Sequence, residues 1–159
     1  MRREQFTAFT PYFNEEEAWG DYTRVEWHHI HHLYLIRATL KKAGYDWPMK
    51  IHCSFDPGSH AANSLHHNGG ISIATDFHFI TDIPFRDQVT ALGWALIDCC
   101  LQDFLGVGIY PEWNNPGFHI DSREKKTRWG HIQGKYIYDM QKVKQYICKG
   151  DQPCLQSGL

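Results

Sequence analysis

The sequence predicts one α+β domain, a small antiparallel or mixed sheet with helices packed on one side. Two segments, residues 23–43 and 85–105, carry apolar residues at helical spacing. Short β-branched and aromatic segments lie between and after them, separated by turns rich in glycine and proline. With 159 residues and no internal repeat, the chain has the size of a single domain spanning residues 1–159.

The N-terminal part of this domain is predicted to be an arm with a short helix over residues 1–22, followed by the first long helix. Asn14 is a good capping residue, and the acidic residues 15–17 suit the positive end of a helix. Gly44 follows two lysines and predicts that the long helix ends just before it. The apolar face of the long helix is formed by Val25, Ile30, Leu33, Ile36 and Leu40.

The rest of the chain alternates short strands with two more helices. The order helix, strand, strand, helix, hairpin, helix places the chain in the α+β class. Residues 148–159 follow as a C-terminal tail. The predicted elements are strands at residues 48–55 and 71–79, a helix at 85–105, a hairpin of residues 107–110 and 117–122, and a helix at 136–147.

Composition argues against two classes of partner. A formal net charge of −2 provides no basic surface for nucleic acid. No apolar run reaches the length of a membrane span, so we expect no membrane insertion. The first residues lack the apolar stretch of a signal peptide, and we therefore expect synthesis and folding in the cytoplasm.

The five cysteines contain no C-x-x-C pair, which argues against a zinc site built from thiolates. Cys148 and Cys154 are close enough in sequence to close a small loop in the tail if the protein meets an oxidising environment. Intracellular disulfides are uncommon, so free thiols are the alternative. The unusual part of the composition is its eleven histidines and 14% aromatic residues.

Two polar clusters indicate metal-binding chemistry. His119 and Asp121 alternate within a strand, so their imidazole and carboxylate project from the same face. The upstream run of residues 64–70 contains two histidines and precedes a strand that carries Asp76. Two histidines and an aspartate from distant strands match a catalytic zinc site, which has three protein ligands and leaves a fourth position for water.

These residues resemble two motifs of the zinc D-alanyl-D-alanine carboxypeptidase family of peptidoglycan peptidases, whose fold is shared with the hedgehog signalling domain. The resemblance covers most of the chain, from about residue 25 to about residue 130. The first motif, S-x-H-x-x-G-x-A-x-D, is matched by Ser64, His66, Gly69, Ala74 and Asp76. The last motif, G-x-G-x-Y-P followed by F-x-H-x-D-x-R and a tryptophan, is matched by Gly106, Gly108, Tyr110, Pro111, His119, Asp121, Arg123 and Trp129.

The resemblance implies a zinc ion bound by His66, Asp76 and His119. His66 and Asp76 are ten positions apart, whereas the family's motif spaces them by seven. Three extra residues before a strand are easily absorbed, because loop length costs little free energy. The insertion leaves an alternative open, in which His67 is the ligand and Gly70 is its glycine.

The resemblance also implies roles for neighbouring residues. The general base is either Glu112, seven residues before the last ligand, or Asp121, which can instead orient a ligand imidazole. Arg123 and Trp129 are expected on the substrate side, with a structural salt bridge and a core tryptophan as the alternatives. The family's arginine near the end of the first strand is missing from residues 53–56, so the usual recognition of the substrate lacks that group.

The expected function is that of a zinc metallopeptidase that hydrolyses peptide bonds in the stems or cross-links of bacterial peptidoglycan. In this chemistry, zinc activates a water molecule and polarises the scissile carbonyl. A small chain without a signal peptide suits a phage-type lysis enzyme, which reaches the cell wall after a partner breaches the membrane. Two alternatives are a zinc-binding domain without catalysis and a virion or structural protein that keeps the fold without metal.

Overall fold

The computed structural model describes residues 6–58, 61 and 63–149. These residues form three α-helices and six β-strands. In chain order the elements are α1 (Trp27–Lys42), β1 (Met49–Cys53), β2 (Ala74–Phe79), α2 (Phe85–Asp98), β3 (Gly106–Tyr110), β4 (Gly117–Asp121), β5 (Thr127–Ile132), β6 (Lys135–Ile137) and α3 (Met140–Ile147). None of the helices in this part of the chain has both the length and the apolar character needed to cross a bilayer.

The first helix, α1, ends where the sequence predicts. The backbone N–H groups of Gly44 and Tyr45 donate to the carbonyls of Lys41 and Leu40, at 3.0 and 2.9 Å. Gly44 has a φ of 91°, which glycine adopts without strain, and this pair of bonds is a Schellman motif. The buried face of α1 consists of His29, Ile30, Leu33, Ile36 and Leu40.

The six strands form one mixed sheet in the order β1-β2-β4-β3-β5-β6. Neighbouring strands are antiparallel except β3 and β5, which are parallel. In the centre, Asp76 of β2 lies opposite His119 of β4. The expected α+β class and the hairpin formed by β3 and β4 are confirmed.

Two glycines of β3 leave room for large side chains on the face of the sheet that carries His119. Gly108 lies opposite His119 in the antiparallel register. A Cβ atom at Gly108 would lie 2.6 Å from the indole of Trp129, and one at Gly106 would overlap the carboxylate of Asp121. The glycine–x–glycine pattern is therefore required by close packing rather than by an unusual backbone conformation.

The helices cover the other face of the sheet. Phe85 of α2 packs on the fully buried Phe118 of β4, with ring centroids 5.1 Å apart. Val143 of α3 packs on Gly130 of β5, where a Cβ atom would lie 2.8 Å from a valine methyl group. Phe118 and Gly130 are both register partners of Ile109, so α2 and α3 contact the same face.

The N-terminal segment differs from the prediction. Residues 15–18 form turns and bends instead of a short helix. The side chain of Asn14 accepts from the Glu16 N–H at 2.9 Å, which closes a local turn. The indole N–H of Trp19 donates to the Asn14 carbonyl, and the ring is fully buried. Packing of this ring in the core therefore determines the conformation of the segment.

The second helix is shorter than predicted, ending at Asp98 instead of residue 105. Cys100 has a φ of 58°, and the Leu101 N–H donates to the Leu96 carbonyl at 2.8 Å. This is again a Schellman motif, with Cys100 in the place usually taken by glycine and Leu101 buried.

The sequence prediction also missed the hairpin formed by β5 and β6, and placed the start of the last helix at residue 136 instead of Met140. Gln133 and Gly134 both have positive φ angles, 52° and 72°, as a two-residue hairpin turn requires. The last helix then begins after Asp139, whose carboxylate accepts from two backbone N–H groups.

Cys148 is disulfide-bonded. Its predicted partner, Cys154, lies outside the described residues, as do residues 1–5 of the predicted arm and residues 150–159 of the predicted tail. Cys99 and Cys100 are free thiols, and the Sγ atom of Cys53 lies 3.8 Å from Nδ1 of His66.

We predict that Phe118→Ala lowers the free energy of unfolding by about 3–5 kcal/mol, because it removes a fully buried ring and leaves a cavity. Urea denaturation measures this loss. Phe104→Ala is the matched control, since Phe104 is 55% exposed. Equal stability of the two variants would contradict the packing described here.

Candidate metal centre

Three potential metal ligands meet on the open face of the sheet. His66, Asp76 and His119 each offer one ligand atom, and these atoms lie within 4.8 Å of one another. His119 Nδ1 is 2.7 Å from Asp76 Oδ1, and His66 Nε2 is 3.4 Å from His119 Nδ1. Two imidazole nitrogens and a carboxylate at this spacing can hold one metal ion.

Sheet register brings two of these residues together. Asp76 and His119 are directly opposite each other in the antiparallel pair of β2 and β4. Side chains of opposite residues project from the same face with Cβ atoms about 4.5–5.5 Å apart. The carboxylate and the imidazole therefore meet without a loop to position either of them.

A loop between β1 and β2 supplies the third residue. The backbone of His66 accepts from the Asp56 N–H at 3.2 Å. A 3₁₀ turn at Asn68–Gly70, in which both glycines have positive φ, takes up the long spacing between His66 and Asp76. The extra residues thus lie in the loop and leave the strand that carries the aspartate intact.

The ring of His66 is oriented by the nitrogen that faces away from the other two ligands. Its Nδ1–H donates to the carbonyl of Ser54 at 2.8 Å, which leaves the lone pair on Nε2 facing the cluster. The ring of His67 points elsewhere, with its Nε2 2.9 Å from the carbonyl of Ala61. The structure therefore places His66, and not His67, with the other two ligands.

The ring of His119 is oriented in the same way by Asp121. Nε2 of His119 lies 3.1 Å from Oδ2 of this carboxylate, within hydrogen-bond distance. Arg123 donates to both oxygens of Asp121 at 2.6 Å, and Asp121 is fully buried. With both oxygens occupied, Asp121 has the geometry of an orienting partner, which is one of its two predicted roles.

Opposite charges stabilise one another in this cluster. Burial favours the neutral form of His119, but hydrogen bonds to Asp121 and Asp76 outweigh it and raise its pKa to about 9. Burial likewise disfavours the Asp121 carboxylate, yet hydrogen bonds from His119 and Arg123 lower its pKa to about 2. Partial burial disfavours the Asp76 carboxylate as well, yet hydrogen bonds with His119 and His66 keep its pKa below the ordinary range. Metal binding would replace the proton on His119.

Glu112, the other predicted base, is not brought to this cluster. One of its carboxylate oxygens accepts from the Tyr146 hydroxyl, and the other accepts from the Gln133 N–H at 2.7 Å. These bonds connect the β3–β4 loop to α3 and to the β5–β6 turn. The hydrogen bond from Tyr146 lowers the pKa of Glu112, so its carboxylate is fully ionised at neutral pH.

The three ligands lie in an open cleft of about 400 Å³, a volume suited to a small ligand or a few residues of a peptide. Among the described residues that line it, Asp76 is the single acid. The other lining residues are Asn63, Ser64, Leu65, His66, Tyr110, Trp113, His119, Arg123, Thr127, Trp129, Tyr136 and Tyr138.

Both predicted substrate-side residues are in the cleft wall. Trp129 is 6% exposed, its ring centroid is 5.3 Å from that of His119, and its indole N–H donates to the Tyr110 hydroxyl. Trp129 thus supports the ligand ring from one side. Arg123 lies over the Trp129 ring and keeps 32% of its side chain exposed, so it can contact a ligand while it holds Asp121.

The aromatic part of the cleft was not predicted from the sequence. Tyr136 and Tyr138 are 60% and 67% exposed, and both line the cleft. They alternate within and just after β6, so the missed strand explains the omission. The signal that could have found them is the alternation of aromatic residues after the Gln133–Gly134 turn.

No protein-family model matches this chain, and no curated protein or solved structure matches it either. The candidate function therefore rests on the residues of the site and their geometry.

We predict that Asp121→Asn weakens Zn²⁺ binding about 10–100-fold, because the amide no longer pairs with both His119 and Arg123. Isothermal titration calorimetry with Zn²⁺ measures the change. Asp103→Asn is the control, since Asp103 is exposed and pairs with Lys126 far from the ligands. Unchanged affinity in a folded Asp121→Asn protein would show that this carboxylate does not support the site.

Proposed function

We propose that this protein is a zinc-dependent metallopeptidase that hydrolyses peptide bonds of bacterial peptidoglycan, with the hedgehog/DD-peptidase type of fold. The observation that carries the proposal is the group of His66, Asp76 and His119 in an open cleft. The two sequence motifs that contain these residues support peptidoglycan peptides as the substrate class.

The donor set fits zinc better than magnesium or calcium, because imidazole nitrogens suit zinc and the hard cations prefer oxygen ligands. Each histidine also has its second nitrogen hydrogen-bonded to an acceptor, Ser54 for His66 and Asp121 for His119. Such partners fix the ring that binds a metal. Zinc bound by three protein ligands supplies Lewis acidity and lowers the pKa of a coordinated water.

The chain's own residues would bind and orient the substrate. The exposed part of Arg123 is a cation that can hold a carbonyl or carboxylate of a peptide. Burial raises the pKa of Tyr110, so its hydroxyl stays protonated, and it already accepts from Trp129. Tyr110 lines the cleft and also shares a hydrogen bond with Tyr136, so a substrate oxygen there can contact this pair of hydroxyls. These groups take the place of the arginine that is missing from residues 53–56.

One observation favours a second candidate function, a zinc-binding module without catalysis. Hydrolysis requires a proton acceptor near the attacking water. Asp76 is the single acid among the described residues of the cleft wall, and Asp121 has both oxygens occupied by Arg123. A module of this kind would bind zinc and a peptide but would release no product.

The proposed site of action is the cell wall, reached after synthesis in the cytoplasm and release through a membrane that a partner has breached. This proposal requires that the folded protein cleaves peptidoglycan added from outside, without a membrane or an activating factor.

The first experiment incubates the purified protein with peptidoglycan and separates the released muropeptides by mass spectrometry. We expect cleavage that a chelator abolishes and added Zn²⁺ restores, and we expect His66→Ala to abolish it. His67→Ala is the matched control, because His67 faces Ala61 and should retain activity. Zinc binding without any cleavage would establish the second candidate function instead.

The second experiment compares Glu112→Gln with Asp121→Asn in the same assay. Removing a true general base costs roughly a hundredfold or more in rate. We expect Glu112→Gln to change the rate by less than about threefold, since its carboxylate is engaged by Tyr146 and Gln133. A hundredfold loss in Glu112→Gln would contradict the position given to Glu112 here.

A further inference from the structure

A chain of buried polar groups lies on the helix-covered side of the sheet, behind the metal centre. Its central member is His29 of α1, which is fully buried. Nδ1 of His29 is 2.8 Å from the Ser122 hydroxyl, and Nε2 is 2.8 Å from the Thr75 hydroxyl. The chain extends at one end to His32, whose Nδ1 is 2.9 Å from Ser122, and at the other end to Ser54.

The number of protons and lone pairs on each group fixes the direction of every hydrogen bond in this chain. The Ser54 hydroxyl donates to the Ala74 carbonyl at 2.7 Å, so it must accept the proton of Thr75 at 3.0 Å. Thr75 then accepts from Nε2–H of His29, and the remaining nitrogen of that ring is an acceptor. Burial lowers the pKa of His29 well below its ordinary value, which agrees with a neutral ring.

The same count of protons and lone pairs fixes the bond directions at the His32 end of the chain. Because Nδ1 of His29 is an acceptor, the Ser122 hydroxyl donates to it. Ser122 has no second proton, so it accepts from Nδ1–H of His32. The result is one directed chain, in which each group donates to the next from His32 to the carbonyl of Ala74.

The hydroxyl groups of this chain belong to the segments that carry the metal ligands. Thr75 immediately precedes Asp76, and side chains alternate along a strand, so one faces α1 and the other faces the cleft. The carbonyl of Ser54 is the acceptor for Nδ1–H of His66. Ser122 directly follows Asp121, which orients the ring of His119.

We infer that His29 is a positioning residue, which ties α1 to the segments carrying His66, Asp76 and His119 and thereby sets the geometry of the metal centre. The inference rests on the metal site of the proposed function. It assigns a role to a histidine that touches none of the ligands. Leucine of similar volume would fill the space but would leave the hydroxyls of Thr75 and Ser122 without their partner.

The two nitrogens of the ring can be tested separately. The amide nitrogen of glutamine reaches the position of Nε2 and donates as that nitrogen does, whereas the amide oxygen of asparagine reaches the position of Nδ1 and accepts as that nitrogen does. His29→Gln can therefore keep the bond to Thr75, whereas His29→Asn keeps only the bond to Ser122. The Thr75 side leads to two ligands, to Asp76 through the strand and to His66 through Ser54.

The experiment measures Zn²⁺ affinity by competition with a chelating dye and records the visible spectrum of the Co²⁺-loaded protein. We expect His29→Leu and His29→Asn to lose affinity about tenfold and to shift the Co²⁺ bands, while His29→Gln stays near the wild type. His31→Leu on the same helix is the control, since His31 contacts aromatic rings instead of the chain of hydroxyls. A merely structural role would lower stability without moving the Co²⁺ bands.

Wild-type affinity and wild-type bands in folded His29→Leu would overturn the inference. If His29→Leu does not fold, Thr75→Val and Ser122→Ala each remove one hydroxyl, and wild-type behaviour of both would overturn it equally. If the wild type itself binds no Zn²⁺, the proposed function fails. Crystal structures of the metal-free variants then test the role of His29. We expect the side chains of Asp76 and His66 to be displaced in His29→Leu, and unmoved side chains would overturn the inference.

Discussion

The antiparallel register of β2 against β4 is the constraint on which the rest of the site depends. It places Asp76 directly opposite His119 and brings their side chains to 2.7 Å. A shift of one residue in this register would turn all the side chains of one strand to the opposite face of the sheet. Phe77 and Phe118, paired in the same register, are fully buried under the helices, so core packing and ligand placement are fixed by one interaction.

A second set of contacts orients the rings of the two histidines. The carboxylate of Asp121 and the carbonyl of Ser54 each hold the outer nitrogen of one ligand histidine. Asp121 fits because Gly106 has no side chain, and Arg123 balances its buried charge. A buried carboxylate with two strong partners keeps a single geometry, which is what a ring that binds a metal requires. The candidate site is therefore oriented by residues outside the group that could hold a metal ion.

The sequence predicted α1, the β3–β4 hairpin and the alternation of His119 with Asp121. These features depend on periodicity and turn residues within short, continuous stretches of the chain. Such patterns did not predict the end of α2, where Cys100 takes a positive φ that glycine usually adopts. The family resemblance also made Glu112 one of two candidate general bases, whereas in the fold its carboxylate accepts from Tyr146. The burial of His29 could not be predicted from its position on the helix, because it depends on partners from two distant segments, Thr75 and Ser122.

A crystal structure of the zinc-loaded protein, with anomalous scattering recorded at the zinc edge, tests the proposed metal centre most directly. We expect one strong peak in the cleft, about 2.0–2.2 Å from His66 Nε2, His119 Nδ1 and a carboxylate oxygen of Asp76. We also expect Asp121 to keep its hydrogen bond to His119. A peak bound by His67, or no peak between these three residues at saturating zinc, would show that the proposed centre is wrong.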